Sequence, residues 1–306
     1  MTQSLNNQPW YILGAGAMGC LLASQLARQQ QPVKLIVKRA STPSQAIHYQ
    51  QTDLHFSCKV PVVDHCALHH HINKLIVTTK AYDALPAVQS IAHLLTADAQ
   101  VILLQNGLGS QQVIANTLPN QQIAVGSVTH GCFLTKPFQV VHAGLGQITI
   151  GELSPQLNNA KPRCQFQQFA QLPLNIHWTT TPLTTLWEKV AINGAINGLT
   201  ALYQCKNGEL WQHQGLRQQV IALCLETEAI LKQLQIPLSD QLVTLVKRVI
   251  LQTADNYSST LQDVKAGKAT ELSYINGYII DKAHIMGIDL PHHQWLVRTL
   301  KEKGYS

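Results

Sequence analysis

The chain has 306 residues, of which 45% are hydrophobic and 12% charged, a balance that excludes a disordered chain and, at roughly 150 residues per domain, suggests two domains. Its 22 Lys and Arg exceed its 16 Asp and Glu, for a formal net charge of +6. That excess is spread without basic runs, which excludes a nucleic-acid footprint and suits a small anionic ligand.

The first predicted element is a strand at Trp10-Tyr11-Ile12-Leu13, followed at once by Gly14-Ala15-Gly16-Ala17-Met18-Gly19. Leu21, Leu22, Gln25 and Leu26 then recur at helical spacing, and Val33 to Val37 reads as the next strand. Strand, glycine turn, helix and strand make one βαβ unit. Further strands are predicted at 75–78, 101–104, 123–125 and 147–151, with helices near 83–95 and 109–117. Alternation of this kind implies a parallel sheet covered on both faces.

Each glycine of the turn has a mechanical role. Gly14 permits the tight turn, Gly16 lets the backbone approach a pyrophosphate, and Gly19 lets the helix pack against the sheet. The helix N-terminus offers the anion unpaired N–H groups. Gly14, Ala15, Gly16, Ala17, Met18 and Gly19 are therefore cofactor-binding candidates. Dinucleotide folds that take NAD carry an acid about 20 residues further on, for the ribose 2′-OH. Here no Asp or Glu precedes Asp53, and the second strand ends Val37-Lys38-Arg39. A cationic pair at that place points to the 2′-phosphate of NADP, with Lys38 and Arg39 both candidates. Lys80 and Asn106-Gly107 end later strands on the edge where ligands of open α/β sheets bind.

Near residue 180 the pattern changes. Beyond Thr179-Thr180-Thr181-Pro182, helices are predicted at about 183–203, 214–235, 239–255, 259–266, 270–286 and 291–302. The fold class is thus an α/β dinucleotide-binding domain of Rossmann type, residues 1–180, followed by an all-α domain, residues 181–306. Lys189, Asn193 and Asn197 stand at i, i+4 and i+8 and share one helix face, with Gly194 and Gly198 beside them. Such a stripe can receive another helix or a ligand. Ser239-Asp240 reads as a helix cap, Ser259 with Gln262 as a capping box, and Glu271 as an acid in the first turn of a helix.

Other features read as structural. His65, Cys66 and His69-His70-His71 match no standard structural zinc spacing, and no metal is expected. His292-His293 is expected at the surface, and the scattered cysteines as buried small hydrophobes. The cysteines number seven without a C-x-x-C, which argues against a disulfide framework and for a reducing cytoplasm. Met1-Thr2-Gln3-Ser4 lacks a basic stretch, and no apolar run approaches the roughly 20 residues of a membrane span.

Together these residues resemble the ketopantoate reductase (2-dehydropantoate 2-reductase) family. The glycine turn, Thr79-Lys80-Ala81 and Gln105-Asn106-Gly107 match. So do Trp187 to Asn193 with Asn197, Ser258-Ser259-Thr260-Leu261-Gln262-Asp263, and Thr270-Glu271-Leu272-Ser273-Tyr274-Ile275-Asn276-Gly277. The likeness implies a helical domain similar to that of 6-phosphogluconate dehydrogenase. It also implies NADPH-dependent reduction of 2-dehydropantoate to (R)-pantoate, toward pantothenate and coenzyme A. By position, Lys189 then looks like the general acid and Glu271 like a carboxylate orienting substrate or cofactor hydroxyls. Asn193, Asn197, Asn256 and Ser259 look like the substrate-binding set, with Asn106 and Lys80 near the nicotinamide ribose. Lys38 stands where the family often has an Arg for the 2′-phosphate. The family includes monomers and homodimers. The alternatives are a related NADP-dependent reductase of another 2-keto acid, and a protein that binds NADP without catalysis.

Overall fold

The computed structural model describes residues 8–153 and 166–305. Cys164 and the N-terminal extension before Gln8 lie outside them. The chain divides into two compact units. The first comprises Met1–Gln105 and Ser110–Pro182, the second Asn106–Gly109 and Leu183–Ser306.

Among the described residues, the first unit is built on an eleven-stranded sheet in the order β11-β10-β7-β6-β5-β1-β2-β4-β3-β9-β8. Its centre is β1 (Trp10–Leu13), β2 (Val33–Val37), β5 (Ile72–Val77), β6 (Leu95–Leu103) and β7 (Gln122–Val128), all mutually parallel. These strands read as continuous apolar runs because both of their faces are covered. Trp10, Ile12, Leu75, Ile76, Val101 and Ile102 are all fully buried. Helix α1 (Ala17–Arg28) buries Cys20, Leu21, Leu22 and Leu26 in the same core. Helices α2 (Ala81–Ile91) and α3 (Ser110–Thr117) follow β5 and β6. The predicted helix at 83–95 stops earlier, because Leu95 already opens β6.

Six strands complete the sheet. β4 (Leu54–Asp64) continues the parallel set beside β2, and β3 (Ser44–Gln51) pairs with it antiparallel. β9 (Gln139–Gly144) runs parallel to β3, and β8 (Gly131–Lys136) closes that edge. β10 (Ile148–Glu152) and β11 (Ile176–Trp178) form the other edge. β10 falls on the strand predicted at 147–151, whereas β3, β4, β8, β9 and β11 have no predicted strand over their residues. In β3 and β4 the inward Ile47, Tyr49, Phe56, Cys58 and Val60 alternate with outward His48, His55, Ser57 and Lys59, the two-residue period of a half-buried strand.

The second unit is helical: α4 (Pro182–Tyr203), α5 (Gln214–Gln233), α6 (Leu242–Gln252), α7 (Ser259–Lys265), α8 (Asn276–Ile285) and α9 (Pro291–Glu302). α6 buries Leu242, Leu245, Val246 and Ile250 as its pattern predicts. It starts at Leu242, not near Ser239, because the Glu228 carboxylate accepts from the Leu242 N–H. The glycines of α4 receive helices. A side chain at Gly194 would meet Ile279 of α8, and one at Gly198 would meet Leu296 of α9.

Two further expectations need correction. His293 is fully buried, not at the surface. Cys66 is exposed, while Cys20, Cys205 and Cys224 are buried. His293 sits in a polar hub because Asn276 Nδ2 donates to its Nδ1 at 3.1 Å, leaving Nε2–H to meet Thr227 Oγ1 at 2.9 Å and Leu223 O at 3.2 Å. The same Asn276 amide donates to Gly194 O at 2.8 Å, tying α8 to α4. Burial pushes the His293 pKa down to about 4, so the ring is neutral.

Candidate active site

In the first unit the glycine turn has the geometry its residue types demand. Gly14 has φ +109°, a conformation that side chains strain to adopt. Its N–H donates to Ile36 O at 3.1 Å, and its carbonyl accepts from Thr78 Oγ1 at 2.9 Å. A Cβ at Gly19 would lie 2.0 Å from Gly14 O, so the helix approaches the turn as closely as a glycine allows. A Cβ at Gly16, in contrast, would meet nothing within 4 Å. Gly16 is also the N-cap of α1, with no side-chain cap and no acid in the first turn. An open space thus lies against a helix end whose N–H groups have no side-chain acceptor, which fits a bound pyrophosphate. Ala15, Ala17 and Met18 complete the turn and are partly buried. Thr78, whose hydroxyl holds the turn, was not singled out from sequence.

Lys38 and Arg39 follow β2 and are both exposed. Lys38 Nζ lies 3.5 Å from Asp83 Oδ1 in the first turn of α2. Arg39 makes no ion pair among the described residues. Lys80 is the N-cap residue of α2 and its carbonyl accepts from Asp83 N–H at 3.0 Å.

In the second unit, Asn106, Lys189 and Glu271 come together. Lys189 Nζ donates to Asn106 Oδ1 at 2.6 Å, and Asn106 Nδ2 donates to Glu271 Oε2 at 3.4 Å. The amide is oriented by its two neighbours, since its oxygen faces a cation and its NH₂ an anion. Glu271 is only 4% exposed. Desolvation pulls the Lys189 pKa down to about 8, against the opposing pull of the Glu271 carboxylate. The ammonium is therefore a far better acid than a surface lysine. Gly107, at φ +86°, lets the Asn106–Gly109 segment run against Tyr274, whose carbonyl accepts from Leu108 N–H at 2.8 Å. A Cβ at Gly107 would stand 2.5 Å from that carbonyl oxygen.

Asn193 and Asn197 lie one and two turns beyond Lys189 on α4, and Asn197 is 6% exposed. Neither side chain has a hydrogen-bond partner among the described residues. Their amides can hold a carboxylate or a hydroxyl. The capping expectation at α7 shifts by one residue. Ser258, not Ser259, is the N-cap, its Oγ accepting from Leu261 N–H at 3.1 Å and from Thr200 Oγ1 at 2.6 Å. Gln262 donates instead to Tyr257 O. Ser259 is left exposed, as is Asn256. Glu271 does not open a long helix either. It precedes the short 3₁₀ turn Leu272–Tyr274, and α8 begins only at Asn276.

Among the described residues no helix is long and apolar enough to cross a membrane. The profile described as "Ketopantoate reductase PanE/ApbA" matches residues 10–155, and that described as "Ketopantoate reductase PanE/ApbA C terminal" matches residues 183–304. The chain is 30% identical to the 2-dehydropantoate 2-reductase of Salmonella typhimurium over 95% of this chain and 94% of that one. It is 29% identical to the protein of the same name from Vibrio cholerae, over 96% and 98%. Among solved structures, a PanE/ApbA family ketopantoate reductase from Ralstonia eutropha superposes with a TM-score of 0.85 at 25% identity, covering 97% of this chain and 99% of that one. A D-mandelate dehydrogenase solved with NADH and anilino(oxo)acetate shares the fold, with a TM-score of 0.89 at 24% identity over 97% and 98%. The glycine turn and the Lys189 cluster thus sit in a chain matched along nearly its whole length, which belongs to the ketopantoate reductase family of oxidoreductases that use a nicotinamide dinucleotide.

Proposed function

We propose that the protein reduces 2-dehydropantoate to (R)-pantoate with NADPH, a step toward pantothenate and coenzyme A. The observation that carries this reading is the ammonium of Lys189, hydrogen-bonded to Asn106 and brought to a pKa of about 8 by burial. When bound, the reduced nicotinamide supplies the hydride that the ketone carbon accepts. Negative charge then develops on the ketone oxygen, and Lys189 stabilises it and donates the proton. Asn193 and Asn197 offer unbonded amides from the same helix face to the substrate's carboxylate and hydroxyl. Asn256 and Ser259 add exposed polar groups at the start of α7. Glu271 keeps Lys189 cationic and accepts from a substrate or cofactor hydroxyl. The open turn at Gly16 supports pyrophosphate binding, with Ala15, Ala17 and Met18 around it, and the family resemblance gives Lys80 and Asn106 roles in holding the cofactor. Lys38 and Arg39, without an acid before Asp53, support a 2′-phosphate over a bare ribose.

The test is oxidation of NADPH and NADH, in parallel, with 2-dehydropantoate and with other branched 2-keto acids. The proposal expects kcat/KM to be highest for 2-dehydropantoate with NADPH. A higher value with another keto acid would reassign the substrate. Cofactor binding without any ketone-dependent oxidation would make the protein a binder and not a catalyst.

A further inference from the structure

The connection from β4 to β5 carries Asp64-His65-Cys66-Ala67-Leu68-His69-His70-His71. Sequence spacing gives this segment no zinc signature, but the fold adds a third ligand type. Asp64 is the last residue of β4, fixed in register beside Val37 of β2. The Cys66 N–H donates to Asp64 Oδ1 at 2.9 Å and orients the carboxylate. His65–Ala67 then form a 3₁₀ turn, and Leu68, 3% exposed, anchors its far end.

Beside this turn His65 Nδ1 lies 3.4 Å from Asp64 Oδ1 and 3.9 Å from Cys66 Sγ, which is nearer to Nε2, at 3.3 Å. One ligand atom from each of the three residues falls within 4.8 Å of the others. A tetrahedral ion with bonds of about 2.0–2.3 Å spaces its ligands about 3.3–3.7 Å apart. The two His65 Nδ1 distances are near that spacing, and the widest pair, bounded at 4.8 Å, closes by up to about 1 Å when an ion binds. We propose that Asp64, His65 and Cys66 form a surface site for a borderline-soft divalent cation of the zinc, cobalt and nickel class. Thiolate, imidazole and carboxylate together select that class over magnesium or calcium, which take oxygen ligands. Three protein ligands leave the fourth position open. The site uses no residue of the Lys189 cluster.

The full chain, stripped with a chelator and kept reduced with a phosphine, is titrated with Co²⁺ alone. The expected result is a saturable thiolate-to-cobalt charge-transfer absorption that Zn²⁺ abolishes. Cys66→Ser removes the band, and His65→Ala weakens Co²⁺ binding by roughly tenfold or more. A variant with His69, His70 and His71 all changed to Ala keeps the band. Absence of a charge-transfer band in the parent protein, or its persistence in Cys66→Ser, would overturn the proposal. So would a band that survives His65→Ala and disappears when the three later histidines are replaced. Cys66 is exposed, so its substitution leaves the fold intact, which circular dichroism checks.

Discussion

Lys189 and Asn106, 83 positions apart in sequence, are joined by a 2.6 Å hydrogen bond from ammonium to amide oxygen. The bond orients the proposed acid and leaves the amide nitrogen for Glu271. Lys189→Ala is expected to lower kcat by about 10²–10⁴-fold, the usual contribution of a general acid. Cofactor affinity, measured by quenching of protein fluorescence, should be unchanged.

The Lys189 pKa of about 8 sets a pH dependence. The rate should fall as pH rises through about 8, because the proton to be donated is lost. Glu271 opposes the effect of burial, so Glu271→Gln should move this basic limb to lower pH. The stability sign is separate. A lysine whose folded pKa lies below its unfolded 10.5 is less protonated when folded, so its contribution to stability rises with pH between about 8 and 10.5. Profiles of kcat against pH for the parent and Glu271→Gln, with thermal melts over the same range, check both.

Gly16 and Gly19 are expected to respond differently to alanine. Gly19→Ala places a Cβ 2.0 Å from Gly14 O and should cost about 1–3 kcal/mol of stability. Gly16→Ala meets nothing and should leave the melting temperature unchanged while weakening NADPH binding. Melting curves and cofactor titrations separate the two.

Arg39 should contribute more than Lys38 to choosing between NADPH and NADH. Lys38 is already within reach of Asp83, whereas Arg39 makes no ion pair among the described residues. Arg39→Ala is expected to reduce the NADPH to NADH ratio of kcat/KM by about tenfold or more, in line with loss of a charge-assisted bond. Lys38→Ala should have the smaller effect.

His293 makes the helical unit acid-sensitive. Its folded pKa is about 4, below the unfolded value near 6.5. The unfolded chain therefore binds a proton first as pH falls. The stability associated with a neutral His293 is full above about 6.5 and lost progressively toward about 4. Melting temperature against pH should be flatter over that window in His293→Gln than in the parent.

Ser258 caps α7, and Ser259 is proposed to bind substrate. Ser258→Ala removes the cap of α7 and should cost about 1 kcal/mol. Ser259→Ala should leave stability unchanged and raise KM for the keto acid. Thermal melts and steady-state kinetics on the two variants provide the comparison.

The central parallel strands and the glycine turn were legible because buried strands and turn glycines announce themselves in residue type. Lys189, Asn193 and Asn197 were visible as one helix stripe. The β3–β4 pair was missed because its outward His, Gln and Ser residues dilute the apolar signal, although the alternation of Leu54, Phe56, Cys58, Val60 and Val62 carries it. His293 was misplaced because a histidine next to another on a polar stretch gives no local sign of burial. Its partners Asn276, Thr227 and Leu223 come from other helices. Asn106 was read as a strand-end residue, and nothing local to it signals that Lys189 is its partner. The shift from Ser259 to Ser258 at the cap was likewise settled by a distant hydroxyl, that of Thr200.

The discontinuity of the second unit has a practical consequence. Because Asn106–Gly109 belongs to it, a recombinant fragment cut at Leu183 would carry Lys189 but not the amide that holds it. Grafting the helical half onto another nucleotide-binding half would therefore have to bring this four-residue insert along, written into the recipient's own loop. The two halves cannot be exchanged by a single splice.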